Sequence, residues 1–136
     1  MGRTNRQGHS FIVDVVTDDQ DNPWVSPRGE LDVSTTTLLR EAVLARLAPP
    51  PSRVVLDLSG LTFIDASGIG ALLELQRACG SAATVLVLGS MSERVRNLLR
   101  ICDLTDQFPV LPPTDSTLVP PAPLARQSAW AEVPQP

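Results

Sequence analysis

The chain has 136 residues, of which 43% are hydrophobic, and a formal net charge of -4 at pH 7. These values predict one soluble globular domain that buries about two-thirds of the surface of the unfolded chain. The acidic balance provides no basic field for nucleic acid or anionic lipid, and no apolar run approaches the roughly 20 residues of a membrane span. The N-terminal MGRTNRQGHS lacks the apolar stretch of a signal peptide, so we expect a cytoplasmic protein that binds neither nucleic acid nor membrane.

The basic and nucleophilic side chains exclude most enzyme classes. All 11 basic residues are arginine, which rules out a nucleotide-binding loop with its lysine and a Schiff-base enzyme. The single histidine, His9, lies in the polar N-terminal segment, leaving no good general base for a serine hydrolase. Cys79 and Cys102 are predicted to lie on apolar helix faces as two buried thiols, with one disulfide between them as the alternative. Two cysteines without a nearby histidine are only a weak signal for a metal site. The sequence therefore predicts no metal, no cofactor and no catalytic residue.

The first half of the folded region begins with a hairpin. Residues 10–17 (SFIVDVVT) have the alternation of a strand, and residues 23–31 (PWVSPRGEL) are predicted to be its partner. Pro23 and Pro27 predict that this partner is an edge strand or an irregular one. A helical apolar stripe follows from Thr36 and ends at the prolines of APPPS.

The second half alternates between strands and helices. Residues 53–59 (RVVLDLS) and 84–89 (TVLVLG) are rich in branched aliphatic side chains, which are typical of buried strands. The helix between them is predicted to begin near Ser67 and to end at Gly80, a natural C-terminal residue. The segment SMSE indicates a capping box, with Ser90 as the N-cap of a last helix. The segment QFPVL is predicted to form a last short strand, which its proline weakens.

This order of elements predicts an α/β fold. The sheet should be mixed but mostly parallel, with four to five strands and three or more helices. With only three clear helices and a first hairpin, we expect the helices to cover chiefly one face of the sheet and the other face to be partly open.

The composition changes at the C-terminal end, where the last 28 residues hold 8 of the 13 prolines. Such a segment donates few backbone hydrogen bonds, so we expect it to be mostly disordered, although Trp130 is unusual for an inert tail. The predicted organisation is a flexible segment at 1–9, one domain at 10–111 and a Pro-rich tail at 112–136. Removal of the tail is predicted to preserve folding.

Residues 61–70 (LTFIDASGIG) form the corner where the predicted central strand passes to a helix. In one interpretation, Asp65 or Ser67 caps the helix, and Gly68 and Gly70 allow close packing or a tight turn. In the other, Ser67 is an accessible phosphate acceptor in the first helical turn, where the helix dipole tolerates the added charge. A hydrolase nucleophile elbow and a dinucleotide fingerprint both need glycines that the segment lacks. The pattern alone leaves the first two interpretations open.

Two segments, RGELDVSTTTLLREAV and VVLDLSGLTFIDASGIGALLELQ, resemble the STAS domain of bacterial anti-sigma factor antagonists. The similarity runs from about Ser10 to Leu111 and implies the STAS-type fold. It also implies a partner-switching mechanism. In that mechanism the unphosphorylated antagonist binds an anti-sigma factor, which is also a serine kinase of the histidine-kinase-like ATPase fold, and this binding frees the sigma factor. The kinase then phosphorylates the antagonist's serine, and a metal-dependent serine phosphatase resets the cycle.

The resemblance also implies roles for individual residues. Ser67 is the implied phosphate acceptor, and Ala66 replaces the first of the two serines that are common in the family. For Asp32, an ordinary loop acid or a helix cap is the alternative to a contact role. The residues implied for partner binding are Asp32, Asp65, Ser67, Gly68 and Ile69.

Two other classes of function remain alongside the antagonist, which we expect to be a monomer or a weak dimer. STAS domains also serve as adaptor subunits of transporter ATPases or stress-signalling assemblies, and a retained acceptor at Ser67 favours the antagonist over this adaptor. The third class, an enzyme or nucleotide-binding module, has the least support from the residues.

Overall fold

The computed structural model describes residues 11–110, which form one five-stranded sheet and three helices. This confirms the predicted α/β fold with a mixed sheet. The predicted segments at 1–9 and 112–136, with His9 and Trp130, lie outside the described residues. The elements are β1 (Ile12–Thr17), β2 (Pro23–Leu31), α1 (Thr36–Leu44), β3 (Arg53–Leu58), β4 (Leu61–Ile64), α2 (Ala66–Ser81), β5 (Val85–Met91) and α3 (Glu93–Ile101).

The sheet has the order β1-β2-β3-β5, with β4 paired to β2 outside this path. The hairpin β1–β2 is antiparallel, as predicted, and the other pairings are parallel. The nine-residue strand β2 has two parallel neighbours on one side, because Trp24 and Val25 pair with β3, whereas residues 29–31 pair with β4. The short strand β4 therefore lies beside the carboxyl end of β2.

Of the two predicted alternatives for β2, an edge strand or an irregular one, the structure shows the second: β2 lies between β1 and β3 and is irregular. Pro23 is tolerated because it is the first residue of the strand. Pro27 lies between Val25, the last residue paired with β3, and Gly29, the first paired with β4. The register shifts between Gly29 and Glu30, and Gly29 has a φ of 118°. The proline thus falls where β2 changes partner and no parallel ladder needs its missing N–H.

The predicted C-terminus of α2 and the predicted N-terminus of α3 need correction. The α2 helix continues through Gly80, and Ala83, with a φ of 60°, takes the left-handed position that usually favours glycine. The backbone N–H of Thr84 donates to the Cys79 carbonyl over 2.8 Å, as in a Schellman motif. Strand β5 extends through Met91, so the N-cap of α3 is Ser92 rather than Ser90.

The main core lies between the sheet and the helices. Its strand residues include Val13, Val25 and Leu56, and buried residues of all three helices belong to the same cluster. The described helices therefore cover one face of the sheet, as predicted. Cys79 is buried in this core, which raises the pKa of its thiol, but Cys102 is exposed at the end of α3. Both thiols are free, so only the predicted burial of Cys102 is wrong.

The predicted last strand is reduced to a single bridge. Val110 pairs in parallel with Leu88, and the backbone N–H of Leu88 donates to the Pro109 carbonyl over 2.8 Å. Phe108, just before this bridge, is buried in the main core. The described chain therefore ends along the outer edge of β5.

Candidate functional site

The strand that leads into the corner is β4, rather than the buried central strand predicted at residues 53–59. Strand β3 ends at Leu58, and the chain turns through Ser59 and Gly60 before β4 begins. Within β4, the end residues Leu61 and Ile64 are buried and the two between them are exposed. This pattern has no period of two, which explains why the sequence did not separate β4 from β3.

Asp65 is the N-cap of α2. Its Oδ1 accepts a hydrogen bond from the backbone N–H of Gly68 over 3.1 Å, and its carbonyl accepts from the N–H of Ile69 over 3.0 Å. Asp65 has extended backbone angles, which is usual for an N-cap residue. Of the two residues predicted as possible caps, Asp65 therefore does the capping and Ser67 does not.

The two glycines of the first turns have different surroundings. A Cβ on Gly68 would lie 2.6 Å from Ile64 Cγ1 and 2.8 Å from the carbonyl oxygen of Leu31, so the helix approaches β2 too closely for a side chain at this position. A Cβ on Gly70 would have no atom within 4 Å. The predicted close packing therefore applies to Gly68 alone.

The loop after β2 lies next to the corner. Leu31 and Ile64 are paired residues at the ends of two parallel strands, and the backbone N–H of Asp65 donates to the Leu31 carbonyl over 3.4 Å. Asp32 follows Leu31 as Asp65 follows Ile64. The structure therefore brings Asp32 and the corner to the same carboxyl edge of the sheet, where ligands and partners of α/β proteins commonly bind.

Hydrogen bonds fix the carboxylate of Asp32 within its loop. Its Oδ1 accepts from the backbone N–H of Ser34 over 2.9 Å and from the Ser34 hydroxyl over 2.7 Å. These bonds hold the pKa of Asp32 below its ordinary value, mainly through the Ser34 hydroxyl. The Thr35 hydroxyl donates to the Glu30 carbonyl over 2.7 Å and joins the loop to β2. Since Thr35 is the N-cap of α1, Asp32 is a loop acid rather than a helix cap.

Ser67, the second residue of α2, is exposed, and its hydroxyl forms no hydrogen bond with any residue between 11 and 110. Its neighbours Ala66 and Gly70 are small and exposed as well. Because Asp65 already supplies the cap, the Ser67 hydroxyl is available to a partner without loss of a helix contact.

Only part of the predicted contact set is accessible. Gly68 and Ile69 are buried, and Ile69 belongs to the main core, so these two residues offer little surface to a partner at the corner. Asp32 and Asp65 are partly exposed.

Sequence reasoning missed two exposed apolar residues near the two aspartates. Val33, directly after Asp32, is 76% exposed, and Phe63, two residues before Asp65, is 41% exposed. The signal for Val33 was present in the sequence, because it is an isolated apolar residue in the polar loop DVSTT.

Residues 11–110 contain no group of three or more histidine, cysteine or acidic side chains placed to hold a metal ion. Over the same range, every helix is too short or too polar to cross a membrane.

Comparisons with known proteins identify the family of the chain and its fold. The family model of the STAS domain matches residues 14–118, which is most of the chain. The STAS-domain containing protein PA14_20770 of Pseudomonas aeruginosa (strain UCBPP-PA14) is 31% identical over 83 residues, which cover 61% of this chain and 81% of that protein.

Solved structures show the same fold. An anti-sigma factor antagonist from Mycobacterium paratuberculosis superposes with a TM-score of 0.66 at 27% identity, covering 80% of this chain and 92% of that protein. A sulfate transporter family protein from Wolinella succinogenes superposes with a TM-score of 0.54 at 24% identity, covering 64% and 74% of the two chains. The fold is thus shared by proteins of different function, and the chain belongs to the STAS domain family.

Proposed function

We propose that this protein is an anti-sigma factor antagonist that is switched by phosphorylation of Ser67. In its unphosphorylated form it binds an anti-sigma factor that is also a serine kinase of the histidine-kinase-like ATPase fold, and sigma factor is released. Phosphorylation releases the kinase, and a serine phosphatase restores the first state. The protein is then a substrate of these enzymes rather than an enzyme, and it acts in the cytoplasm on transcription. The similarity to the mycobacterial antagonist supports this assignment.

The exposure of Ser67 carries the proposal. The hydroxyl is free of hydrogen bonds within residues 11–110 and stands in the first turn of α2, whose cap is supplied by Asp65. In the transfer, Ser67 Oγ forms a bond to the γ-phosphorus of ATP, the bond from that phosphorus to the bridging oxygen of ADP breaks, and the hydroxyl proton passes to a base of the kinase. The residues of the corner can remain in place throughout.

The added phosphate changes the surface more than the fold. It carries about -1.5 to -2 charges at pH 7 and lies at the positive end of the helix dipole, so the folded chain tolerates it. A partner that covers the corner meets this charge beside Asp65 and at the same edge as Asp32. Like charges and the desolvation of the phosphate then oppose binding. Exposed Val33 and Phe63 are the apolar residues that such a partner would cover.

The test is phosphorylation of the full chain by candidate anti-sigma kinases from the same genome, with ATP, followed by intact mass. We expect one phosphate on the wild type and none on Ser67→Ala. Ser81→Ala is the matched control, because Ser81 is the exposed last residue of the same helix and its loss should not prevent phosphorylation.

The other outcomes separate the alternatives. Phosphate that persists on Ser67→Ala would place the acceptor elsewhere. If no candidate phosphorylates the chain but a transporter ATPase forms a stable complex that is insensitive to Ser67→Ala, the adaptor function replaces the proposal. In that case Ser67 is an ordinary residue of the first turn.

A further inference from the structure

Four apolar residues form a straight row across the sheet on the face opposite the helices. Val16 is paired with Trp24, Trp24 with Val55 and Val55 with Val87, so the row crosses β1, β2, β3 and β5 in register. These residues form a cluster separate from the main core, and within residues 11–110 the cluster contains no helical residue. We call Val16, Trp24, Val55 and Val87 the apolar row.

The apolar row is buried although no described helix belongs to its cluster. Each of its residues is at most 7% exposed, including Val16 on the edge strand β1 and the large side chain of Trp24, which is 4% exposed. Side chains on a sheet stand roughly perpendicular to it, so their neighbours cover their flanks and leave their tops open. Burial to this degree indicates a cover over the row. Beyond the row the same face stays partly open, as the sequence predicts, because Val85 on β5 is 51% exposed.

The indole of Trp24 indicates the chemistry of the cover. Its Nε1–H is buried and has no hydrogen-bond acceptor among the described residues. A buried donor without an acceptor is costly, so the cover should present a carbonyl oxygen as well as apolar surface. Extended proline-rich segments have both, because proline carbonyls remain free to accept and the rings pack on aromatic side chains.

We propose that the C-terminal segment, residues 111–136, docks on the apolar row through its proline-rich stretch around residues 118–124 (LVPPAPL). Of the two segments outside the described residues, this one has the matching composition. Residues 1–10 (MGRTNRQGHS) contain a single large apolar side chain, Met1, whereas residues 111–136 contain Trp130, several leucines and valines, and seven prolines.

The position of Val110 makes the docking possible. Val110 bridges to Leu88 on β5, so the segment starts at the strand that carries Val87, one end of the row. The far end of the row is three strands away, or about 14 Å at the usual strand spacing. Ten residues in a polyproline conformation, from Leu111 to Pro120, span up to about 31 Å. The segment is therefore long enough to cross the whole row.

The test is acrylamide quenching of Trp24 fluorescence in the full chain. The chain has two tryptophans, so Trp130→Phe leaves Trp24 as the only one. In this background, the triple variant Leu118→Ser, Val119→Ser and Leu124→Ser removes the apolar side chains of the proline-rich stretch. We expect the Stern–Volmer constant of Trp24 to rise several-fold and its emission to shift to longer wavelength, while far-UV circular dichroism stays unchanged because the main core is not touched.

Two controls make the result specific. Asp115→Asn and Ser116→Ala change the same segment without loss of apolar surface, and deletion of residues 1–9 removes nearly all of the other segment outside the described residues. We expect neither change to expose Trp24.

Three results would overturn the proposal. The triple serine variant could quench like its parent, or deletion of residues 1–9 could expose Trp24. Alternatively, quenching of Trp24 could increase on dilution of the protein, equally in the parent and in the triple serine variant. In that case a second copy of the chain covers the apolar row.

Discussion

A single methyl group at Gly68 tests how closely α2 approaches β2. In Gly68→Ala the new Cβ would lie 2.8 Å from the carbonyl oxygen of Leu31, a backbone atom that cannot rotate away, and 2.6 Å from Ile64 Cγ1. Overpacking of this kind costs about 1–3 kcal/mol, and alanine regains up to about 1 kcal/mol through its higher helix propensity. We therefore expect the free energy of unfolding to fall, by up to about 3 kcal/mol.

Gly70→Ala is the matched control in the same helical turns. The added Cβ has no atom within 4 Å, so only the gain in helix propensity remains, and we expect stabilisation by about 0.5–1 kcal/mol. Urea unfolding followed by far-UV circular dichroism should place the two midpoints on opposite sides of the wild type. A Gly68→Ala variant as stable as the wild type would refute the close approach of the helix to β2.

Three further predictions concern single side chains. Ser67→Asp should weaken kinase binding while leaving the thermal midpoint nearly unchanged, because the carboxylate lies at the N-terminus of α2; a large loss of Tm would mean that the hydroxyl has a structural role. The pKa of Asp32 is lowered in the folded chain, so its ionised form adds stability above the unfolded pKa, and this stability is lost as the pH falls through the folded pKa. Ser34→Ala removes the main cause and should flatten the dependence of Tm on pH in this acid range; an unchanged profile would contradict the role of Ser34. In the folded protein Ellman's reagent should modify exposed Cys102 quickly and buried Cys79 only after unfolding; rapid modification of both would contradict the burial of Cys79.

The sequence predicted the elements whose patterns are local. The hairpin, the start of α1 at Thr36 and the strand around residues 53–59 all follow from period and from residue type. The corner was recognised as a candidate site through the family resemblance, because an aspartate, a serine and a glycine at the start of a helix also suit an ordinary helix cap.

One error occurred where tertiary contacts override a local signal. Ser90 and Glu93 have the spacing of a capping box, but pairing with β3 extends β5 through Met91 and moves the cap to Ser92. Pairing partners of this kind are not visible in a single sequence. The end of α2 was missed for a local reason, because Ala83 adopts the left-handed conformation that glycine would adopt more easily.

The site itself was predictable in part. Asp65 and Ser67 are close in sequence, but Asp32 reaches the same edge only because β2 pairs with β4, a strand that the sequence did not reveal. The burial of Ile69 also depends on how α2 packs, since the same residue pattern fits either a partner contact or the core.

The most direct test of the central proposal is the affinity of the anti-sigma kinase for the full chain before and after stoichiometric phosphorylation, measured by isothermal titration calorimetry. We predict tight binding of the unphosphorylated chain and an affinity lower by at least about tenfold, equivalent to about 1.4 kcal/mol, once Ser67 carries phosphate. Equal affinities of the two forms would contradict a switch at Ser67.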